Sequence, residues 1–258
     1  MSLNDPLVPV LEAEPQAAAV GEGAPQRFSC FVTGTDTEIG KTLMSSAILH
    51  ALVQAGVRAC GMKPVAAGAE LKDGALHNDD ADQLAAAGNV HLPSNITTPF
   101  MLRAAAAPHI AAALDGITID PVTILAAYAE IAAASDAVVV EGVGGFRVPL
   151  APGFDTADLA QQLNLQVILV VGLRLGCINH ALLTVEAILA RGLHLAGWIA
   201  NETDADMRFV GENIEALMLA IPAPMLGRVP RLAPPTAAAA AELIDLQGLP
   251  GWPLTKPR

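Results

Sequence analysis

The sequence predicts a doubly wound α/β fold, in which a mostly parallel sheet carries helices on both faces. From Phe28 onward, short apolar runs alternate with segments whose apolar residues recur at helical spacing. Two of the runs, 138–140 and 167–171, are apolar on both faces, which is typical of central strands in a helix-covered parallel sheet. A glycine-containing turn joins the first run directly to a helical segment. In folds of this class, ligands bind at the carboxyl ends of the strands.

The individual elements follow from the change of period along the chain. Apolar runs predict strands at 28–33, 58–62, 136–141, 166–172 and 195–200. Helical periodicity predicts helices at 41–55, 120–134, 155–163, 178–191 and 206–219, and a cluster of short acids predicts another from Asp80 to Ala87. We assign all of them to one domain, residues 27–258.

Composition separates two segments from this pattern. Residues 1–26 contain four prolines, four acidic residues and no Lys or Arg, which predicts a flexible N-terminal extension. Residues 233–241 are almost entirely Pro and Ala, so we expect a surface loop or a weak helix there.

Charge and composition exclude several classes of function. The net charge of −12 argues against binding to a nucleic-acid backbone, and an aromatic content of 3% leaves few platforms for stacking bases. No apolar run approaches the roughly 20 residues that span a bilayer, and the N-terminus lacks the basic and apolar regions of a signal peptide. Three cysteines without metal-ligand spacing fit a reducing compartment. We therefore expect a cytoplasmic protein that binds neither nucleic acid nor membranes.

The turn after the first predicted strand has the layout of a phosphate-binding loop. Gly40, Lys41 and Thr42 open a helix, so that backbone N–H groups and the helix N-terminus would face an anion. Lys41 would reach the β- and γ-phosphates of a nucleotide, and the Thr42 hydroxyl would bind Mg²⁺. Five residues separate Gly34 from Gly40, where the usual motif has four. The alternative is a glycine-rich turn with an incidental lysine.

Two further charged residues follow predicted strands. Glu141 ends the run 138–140 and precedes a glycine turn, which is where nucleoside triphosphatases place a metal or water ligand. Lys63 ends another strand and would face the same crevice, where it could stabilise a transferring phosphoryl group. Each could also be an ordinary surface residue at a turn.

Other polar residues have a structural and a functional interpretation. Asp80 either supports the start of a helix or binds Mg²⁺, which commonly takes one or two carboxylates together with phosphates. Asn201 ends the last predicted strand and is either a turn residue or a reader of the adenine N6/N7 edge. Isolated histidines and Cys177 are interpreted as structural, the histidines being His109, His180 and His194.

Taken in order, these motifs resemble the ATP-dependent dethiobiotin synthases of biotin biosynthesis, which are P-loop NTPase-like proteins. The extra residue in the loop is characteristic of that family, and Gly176 to His180 is a more specific match. The matching blocks are Phe31–Thr42, Gly61–Gly68, Val140–Gly145, Val167–Ala181, Ala196–Asn201 and Ile221–Leu232.

The resemblance implies a ligase that makes dethiobiotin from 7,8-diaminopelargonate, CO₂ and ATP, with Mg²⁺. One substrate amine captures CO₂ as a carbamate, and a carbamate oxygen attacks the γ-phosphate to give a carbamic–phosphoric anhydride. The second amine then closes the ureido ring and phosphate leaves.

The resemblance also implies residue roles. It assigns catalytic roles to Lys63, Lys41, Thr37 and Glu38. Either Asp36 or Glu38 could accept the amine protons or attract the ammonium forms, and which of them does so stays open. Mg²⁺ would be held by Thr42, Asp80 and Glu141. The nucleotide would contact these metal ligands and Glu38, Ile39, Gly40, Lys41, Leu43, Gly142, Val143, Gly144, Asn201, Glu202, Pro230, Arg231 and Leu232. The diamine would contact Thr37, Lys63 and Ala67, and Gly176, Cys177, Ile178 and Asn179 of a partner subunit would bind its carboxylate, which implies a homodimer with shared sites.

Some positions depart from the family pattern. Ala67 stands where many members have Ser, so one hydroxyl contact worth roughly 0.5–1.5 kcal/mol is absent. Arg228, Arg231 and Ala237 replace residues near the base pocket, which bears on nucleotide preference.

Two other functions share the predicted fold. A regulatory ATPase of the partition or septum-positioning type usually carries an additional lysine early in the loop, and residues 33–40 contain none. An amidotransferase-linked synthetase would need a glutaminase module, for which the chain after Leu232 is too short.

Overall fold

The computed structural model describes residues 28–253. The extension predicted over 1–26 lies outside the described residues, as does the last part of the predicted domain.

The central sheet has six parallel strands, which are β1 (Phe28–Gly34), β2 (Ala59–Met62), β7 (Ala137–Glu141), β10 (Gln166–Leu173), β11 (Leu195–Glu202) and β12 (Met225–Val229). They stand in the order β12–β11–β10–β1–β7–β2. The first strand, β1, lies between β7 and β10, so the turn that follows it lies among the carboxyl ends of the central strands.

Helices and three small strand pairs complete the fold. The helices are α1 (Lys41–Gln54), α2 (Asp79–Ala87), α3 (Ser94–Thr97), α4 (Pro108–Asp115), α5 (Pro121–Ala134), α6 (Thr156–Leu163), α7 (Cys177–Ala190), α8 (Val210–Ala220) and α9 (Ala237–Ala241). The pairs are β3 (Val65–Ala67) with β6 (Phe100–Leu102), β4 (Glu70–Lys72) with β5 (Ala75–His77), and β8 (Pro149–Ala151) with β9 (Phe154–Asp155).

Both faces of the sheet are buried, as the apolar runs predict. In β10, Val167, Leu169 and Val171 pack into one core, while Ile168 and Val170 pack into the core on the opposite face. The doubly wound α/β prediction is confirmed, and the five predicted strands are present with bounds that differ by no more than two residues.

The sequence interpretation missed several elements and misplaced one boundary. Strand β12 follows a Pro-rich stretch and lies at the sheet edge, so its apolar signal is weak. The helix predicted from 206 begins at Val210, because Phe209 adopts a left-handed conformation with φ 60° and caps it. Residues 237–241 form the short helix that was one of two expectations, capped by the Thr236 hydroxyl.

Within residues 28–253, none of the helices combines the length and apolar character that a bilayer crossing demands.

The end of the described chain closes the core next to its beginning. The Trp252 ring packs edge-on against Phe28, with ring centroids 5.0 Å apart. The Gln166 side chain donates hydrogen bonds to the carbonyls of Ser29 and Pro250, at 3.1 and 2.9 Å. Residues near 250 therefore cover the amino end of the central strand.

We expect Trp252→Ala to lower the free energy of unfolding by about 3–5 kcal/mol, because it removes a large side chain that is 8% exposed and its ring contact. Urea unfolding followed by circular dichroism measures the change. Leu219→Ala is the control, since Leu219 is 91% exposed and should change stability by less than about 0.5 kcal/mol. Equal effects of the two substitutions would contradict this account of the core.

Candidate active site

The loop between β1 and α1 is fixed by its own side chains and by β10. Gly40 caps α1 with φ +86°, a conformation that favours glycine. Ile39 is buried beneath the loop, and a Cβ at Gly34 would lie 2.6 Å from its Cδ1 atom. The Thr35 N–H donates to the Val170 carbonyl at 3.1 Å. The predicted strand, turn and helix are thus present, and the positive end of α1 opens into the loop.

Lys41 lies folded under this loop. Its buried ammonium donates to the Asp36 carbonyl at 2.7 Å. Burial and the neighbouring Lys63 lower the pKa of Lys41 to about 8, against the opposing effect of Glu141, Asp80 and Asp36. A phosphate that replaced the neutral Asp36 carbonyl would give the Lys41 ammonium a negatively charged hydrogen-bond partner.

Lys63, Asp80 and Glu141 form a cluster that joins three elements. The Lys63 Nζ atom lies 2.5 Å from Glu141 Oε1 and 2.9 Å from Asp80 Oδ2. It also donates to the Gly142 carbonyl at 3.3 Å. Burial lowers the pKa of Lys63, but the two carboxylates outweigh burial and raise it above the ordinary value. Burial alone would raise the pKa of Asp80, and Lys63 together with the Thr42 hydroxyl lowers it. Both lysines therefore reach the crevice that the sequence predicts.

Oxygen atoms around Thr42 suit a magnesium ion. The Thr42 hydroxyl lies 2.7 Å from Asp80 Oδ1 and 2.9 Å from Glu141 Oε1, although one proton can satisfy only one of these acceptors. Adjacent ligands of octahedral Mg²⁺ at about 2.1 Å are separated by about 3 Å, which is similar. Glu141 Oε2 is buried without a hydrogen-bond partner among the described residues. The donor set therefore fits Mg²⁺ with two carboxylates, one hydroxyl and phosphate oxygens.

No cluster of three or more His, Cys, Asp or Glu side chains with metal-binding potential occurs among residues 28–253.

The start of α2 serves the helix and the cluster together. The Asn78 side chain caps α2 by accepting from the N–H groups of Asp80 and Ala81, and it donates to the Ala67 carbonyl at 3.1 Å. The two interpretations of Asp80 are therefore compatible, because the cap holds its carboxylate toward Lys63. The Ala67 carbonyl is thus hydrogen-bonded to the residue that caps α2.

The exposed part of the loop faces the turn after β7. Thr37 and Glu38 are exposed, and Glu38 adopts a left-handed conformation with φ 57°. A Cβ at Gly144 would lie 3.5 Å from the Thr37 hydroxyl. The loop and the glycine turn of residues 142–144 thus border one space, open to a substrate.

The residues expected around the base lie at the ends of β11 and β12. Asn201 is buried and donates to the Ile39 carbonyl at 2.7 Å, so it touches the loop. Glu202 accepts from Arg228 at 2.6 Å, and Arg231 donates to the Thr203 carbonyl at 2.7 Å. Pro230 is exposed and Leu232 half-buried. The two arginines noted as departures thus have partners within the chain, and the base contacts stay predictions.

The turn before α7 stands apart from the lysine cluster. Gly176 caps α7 with φ +93°, Cys177 is buried, and Leu175 is 94% exposed. Among the described residues, no hydrogen bond or ion pair joins 176–179 to Lys41, Lys63 or Glu141. That the turn serves a second subunit stays a prediction.

Sequence reasoning missed Arg174, which follows β10 and pairs with the Asp36 carboxylate. The available signal was a single basic residue at a strand end, directly before the turn that opens α7.

A central strand, a phosphate-binding loop and two buried lysines beside paired carboxylates define a P-loop nucleotide-binding protein. Comparisons agree: residues 29–239 match the AAA domain family. The chain is 58% identical to the ATP-dependent dethiobiotin synthetase BioD of Janthinobacterium sp. (strain Marseille), over 88% of this chain and 98% of that protein. The chain belongs to the ATP-dependent dethiobiotin synthetase family.

Solved structures support the fold alone. The MinC:MinD cell division complex of Aquifex aeolicus aligns with a TM-score of 0.53 and 13% identity, covering 83% of this chain and 92% of that chain. The septum site-determining protein MinD of Pyrococcus horikoshii OT3, complexed with Mg-ADP, aligns with a TM-score of 0.50 and 17% identity, with 87% of each chain covered. The septum-positioning alternative therefore shares the architecture, whereas the close sequence relative is a synthetase.

We expect ATP affinity to fall as the pH rises past about 8, because the Lys41 ammonium then loses its proton. The fall should reach about tenfold per pH unit until the pKa of the bound state is passed. Calorimetric titration of ATP with Mg²⁺ between pH 7 and 9.5 measures it. Lys41→Arg should move the fall to higher pH, and a flat profile for the unaltered protein would contradict the assignment.

Proposed function

We propose that the chain closes the ureido ring of dethiobiotin from 7,8-diaminopelargonate, CO₂ and ATP, with release of ADP and phosphate. The observation that carries this proposal is one cluster in a chain with this close relative. In it, Lys63 and Glu141 at the ends of β2 and β7 meet Lys41 and Asp80 from the first turns of α1 and α2. The arrangement supplies two ammonium groups and two carboxylates around the space where phosphates would bind.

The chemistry explains why two lysines are needed. A carbamate carries negative charge and must approach the γ-phosphate, which is also negative, so repulsion opposes the attack. Lys41 would hold the β- and γ-phosphates, and Lys63 would balance charge on the carbamate and the transferring phosphoryl group. Because Lys63 is held by Glu141 and Asp80, its ammonium is positioned before the substrates arrive.

Thr42, Asp80 and Glu141 are proposed to hold Mg²⁺, which would neutralise charge on the phosphate oxygens. Of the two carboxylates in the loop, Asp36 pairs with Arg174, whereas Glu38 is exposed next to Thr37 and suits the cationic diamine. Asn201 and the segment 230–232 are proposed to contact the base.

We propose that the protein is a homodimer in which each site uses the α7 turn of the partner. The N-terminus of α7 presents backbone N–H groups and the positive end of a 14-residue helix, which suits the carboxylate tail of the diamine. In this proposal the exposed Leu175 lies at the subunit contact.

The test is incubation of the purified protein with labelled bicarbonate, 7,8-diaminopelargonate, ATP and Mg²⁺. A carbamate loses CO₂ in acid, whereas the cyclic urea keeps it, so we expect ATP-dependent label that survives acid. ATP hydrolysis without acid-stable label would refute the ligase proposal and favour a regulatory ATPase. Replacing ATP by CTP or GTP in the same assay determines the base preference.

We expect Lys41→Ala and Lys63→Ala each to reduce turnover by roughly 10²–10³, the scale of losing one preorganised charge. Formation of acid-stable product under saturating substrates measures turnover. Lys72→Ala is the matched control, because Lys72 lies on the exposed β4–β5 hairpin and should keep full turnover. Near-normal ring closure in either active-site variant would remove that lysine from its proposed role.

Mixing two inactive variants tests the shared sites. Lys41→Ala damages the loop. Asn179→Pro removes one backbone N–H from the first turn of α7 and is expected to damage the turn offered to the partner. After random subunit exchange, half of the dimers are mixed and each contains one intact site, so activity should recover to about a quarter of the unaltered level. No recovery, despite exchange verified by mass spectrometry, would show that each site is built within one subunit.

A further inference from the structure

Arg174 links the phosphate-binding loop to the turn before α7. Its guanidinium forms an ion pair and hydrogen bond with Asp36 Oδ2, and its carbonyl accepts from the Cys177 N–H at 3.0 Å. The side chain thus reaches the loop, while the backbone closes the first turn of the segment 174–177.

Asp36, which belongs to the loop, also accepts two hydrogen bonds from neighbouring residues. Its other carboxylate oxygen accepts from the Thr37 N–H at 2.8 Å, and its carbonyl accepts from the Lys41 ammonium at 2.7 Å. When Lys41 turns toward a phosphate, the Asp36 carbonyl loses this partner. Asp36, whose carbonyl would lose the Lys41 contact, is therefore also the residue that Arg174 holds.

The contact between loop and β10 is extensive. A Cβ at Gly172 would lie 2.5 Å from Ile39 Cγ2, and the Gly172 N–H donates to the Thr35 hydroxyl at 3.3 Å. These contacts fix the loop against the strand end. Arg174 extends the contact by two residues, beyond the strand and into the turn.

From this geometry we infer that Arg174 is a positioning residue that couples the phosphate loop to the carboxylate-binding turn. The inference rests on the proposed function, which gives the turn to the site of the partner subunit. A nucleotide bound in one site then improves the geometry of the turn that receives the diamine carboxylate in the other site. The coupling must be reciprocal, since each ligand changes the affinity for the other by one factor.

The exposure of the pair sets the scale of the effect. Both side chains are 44% exposed, so the pair is screened by water, and the coupling factor should be roughly twofold to fivefold.

The experiment measures the affinity for 7,8-diaminopelargonate by calorimetry, without nucleotide and with saturating MgADP. In the unaltered protein we expect MgADP to tighten diamine binding by about twofold to fivefold. Arg174→Gln should reduce this ratio to about one while both ligands still bind, and Arg174→Lys should restore most of it by keeping the charge. If Arg174 had a purely structural role, Arg174→Gln would weaken diamine binding equally with and without MgADP. The ratio of the two affinities would then stay unchanged.

Arg191→Gln is the matched control, because Arg191 forms ion pairs at the opposite end of α7, with Asp155 and Asp158. It should keep the ratio of the unaltered protein. A ratio of one in the unaltered protein, or an unchanged ratio in Arg174→Gln, would overturn the inference while leaving the proposed reaction intact. If the unaltered protein neither binds the diamine nor forms acid-stable product, the proposed function fails and the inference fails with it.

Discussion

The active site depends on one buried ammonium, that of Lys63, which holds the carboxylates of Asp80 and Glu141 in place. Lys63 is 3% exposed and Glu141 is fully buried, so neither charge is solvated by water. A buried pair of this kind adds little net stability, but removing one partner leaves an uncompensated charge that typically costs 3–5 kcal/mol. The ends of β2 and β7 and the start of α2 are therefore bound to one another by charge.

The buried lysines explain how a protein with a large negative net charge can attract an anionic ligand. At a net charge of −12 the overall field repels ATP, and attraction must come from nearby groups. Two lysines and the N-terminus of α1 supply it within the crevice. The sheet that carries them also occurs in MinD, and so the fold does not determine the reaction; the side chains at the strand ends do.

The sequence predicts those parts of the molecule whose local pattern is determined by burial on two faces or by a short motif. The strands of residues 138–140 and 167–171 are unambiguous because both faces are apolar, and the loop from Gly34 to Thr42 is encoded in consecutive residues. The sequence does not reveal strand β12, because an edge strand needs little apolar character. The start of α8 is also missed, because Phe209 delays the helix to Val210 through a left-handed backbone conformation that its residue type does not indicate. The Lys63 cluster could be expected as a meeting of strand ends, but the bridging of Asp36 by Arg174 depends on a turn geometry that spacing does not specify.

The covering of Phe28 by Trp252 also has a consequence for how the protein is made. A ribosome releases β1 first, yet its two neighbours in the sheet begin only at residues 137 and 166, and the residues that cover its amino end come around 250. At about 5–20 residues per second, the apolar side chains of β1 wait on the order of ten seconds or longer for their last partners. During that interval β1 is a hydrophobic segment without a core, so the nascent chain should rely on chaperones until the residues near 250 have emerged from the ribosome.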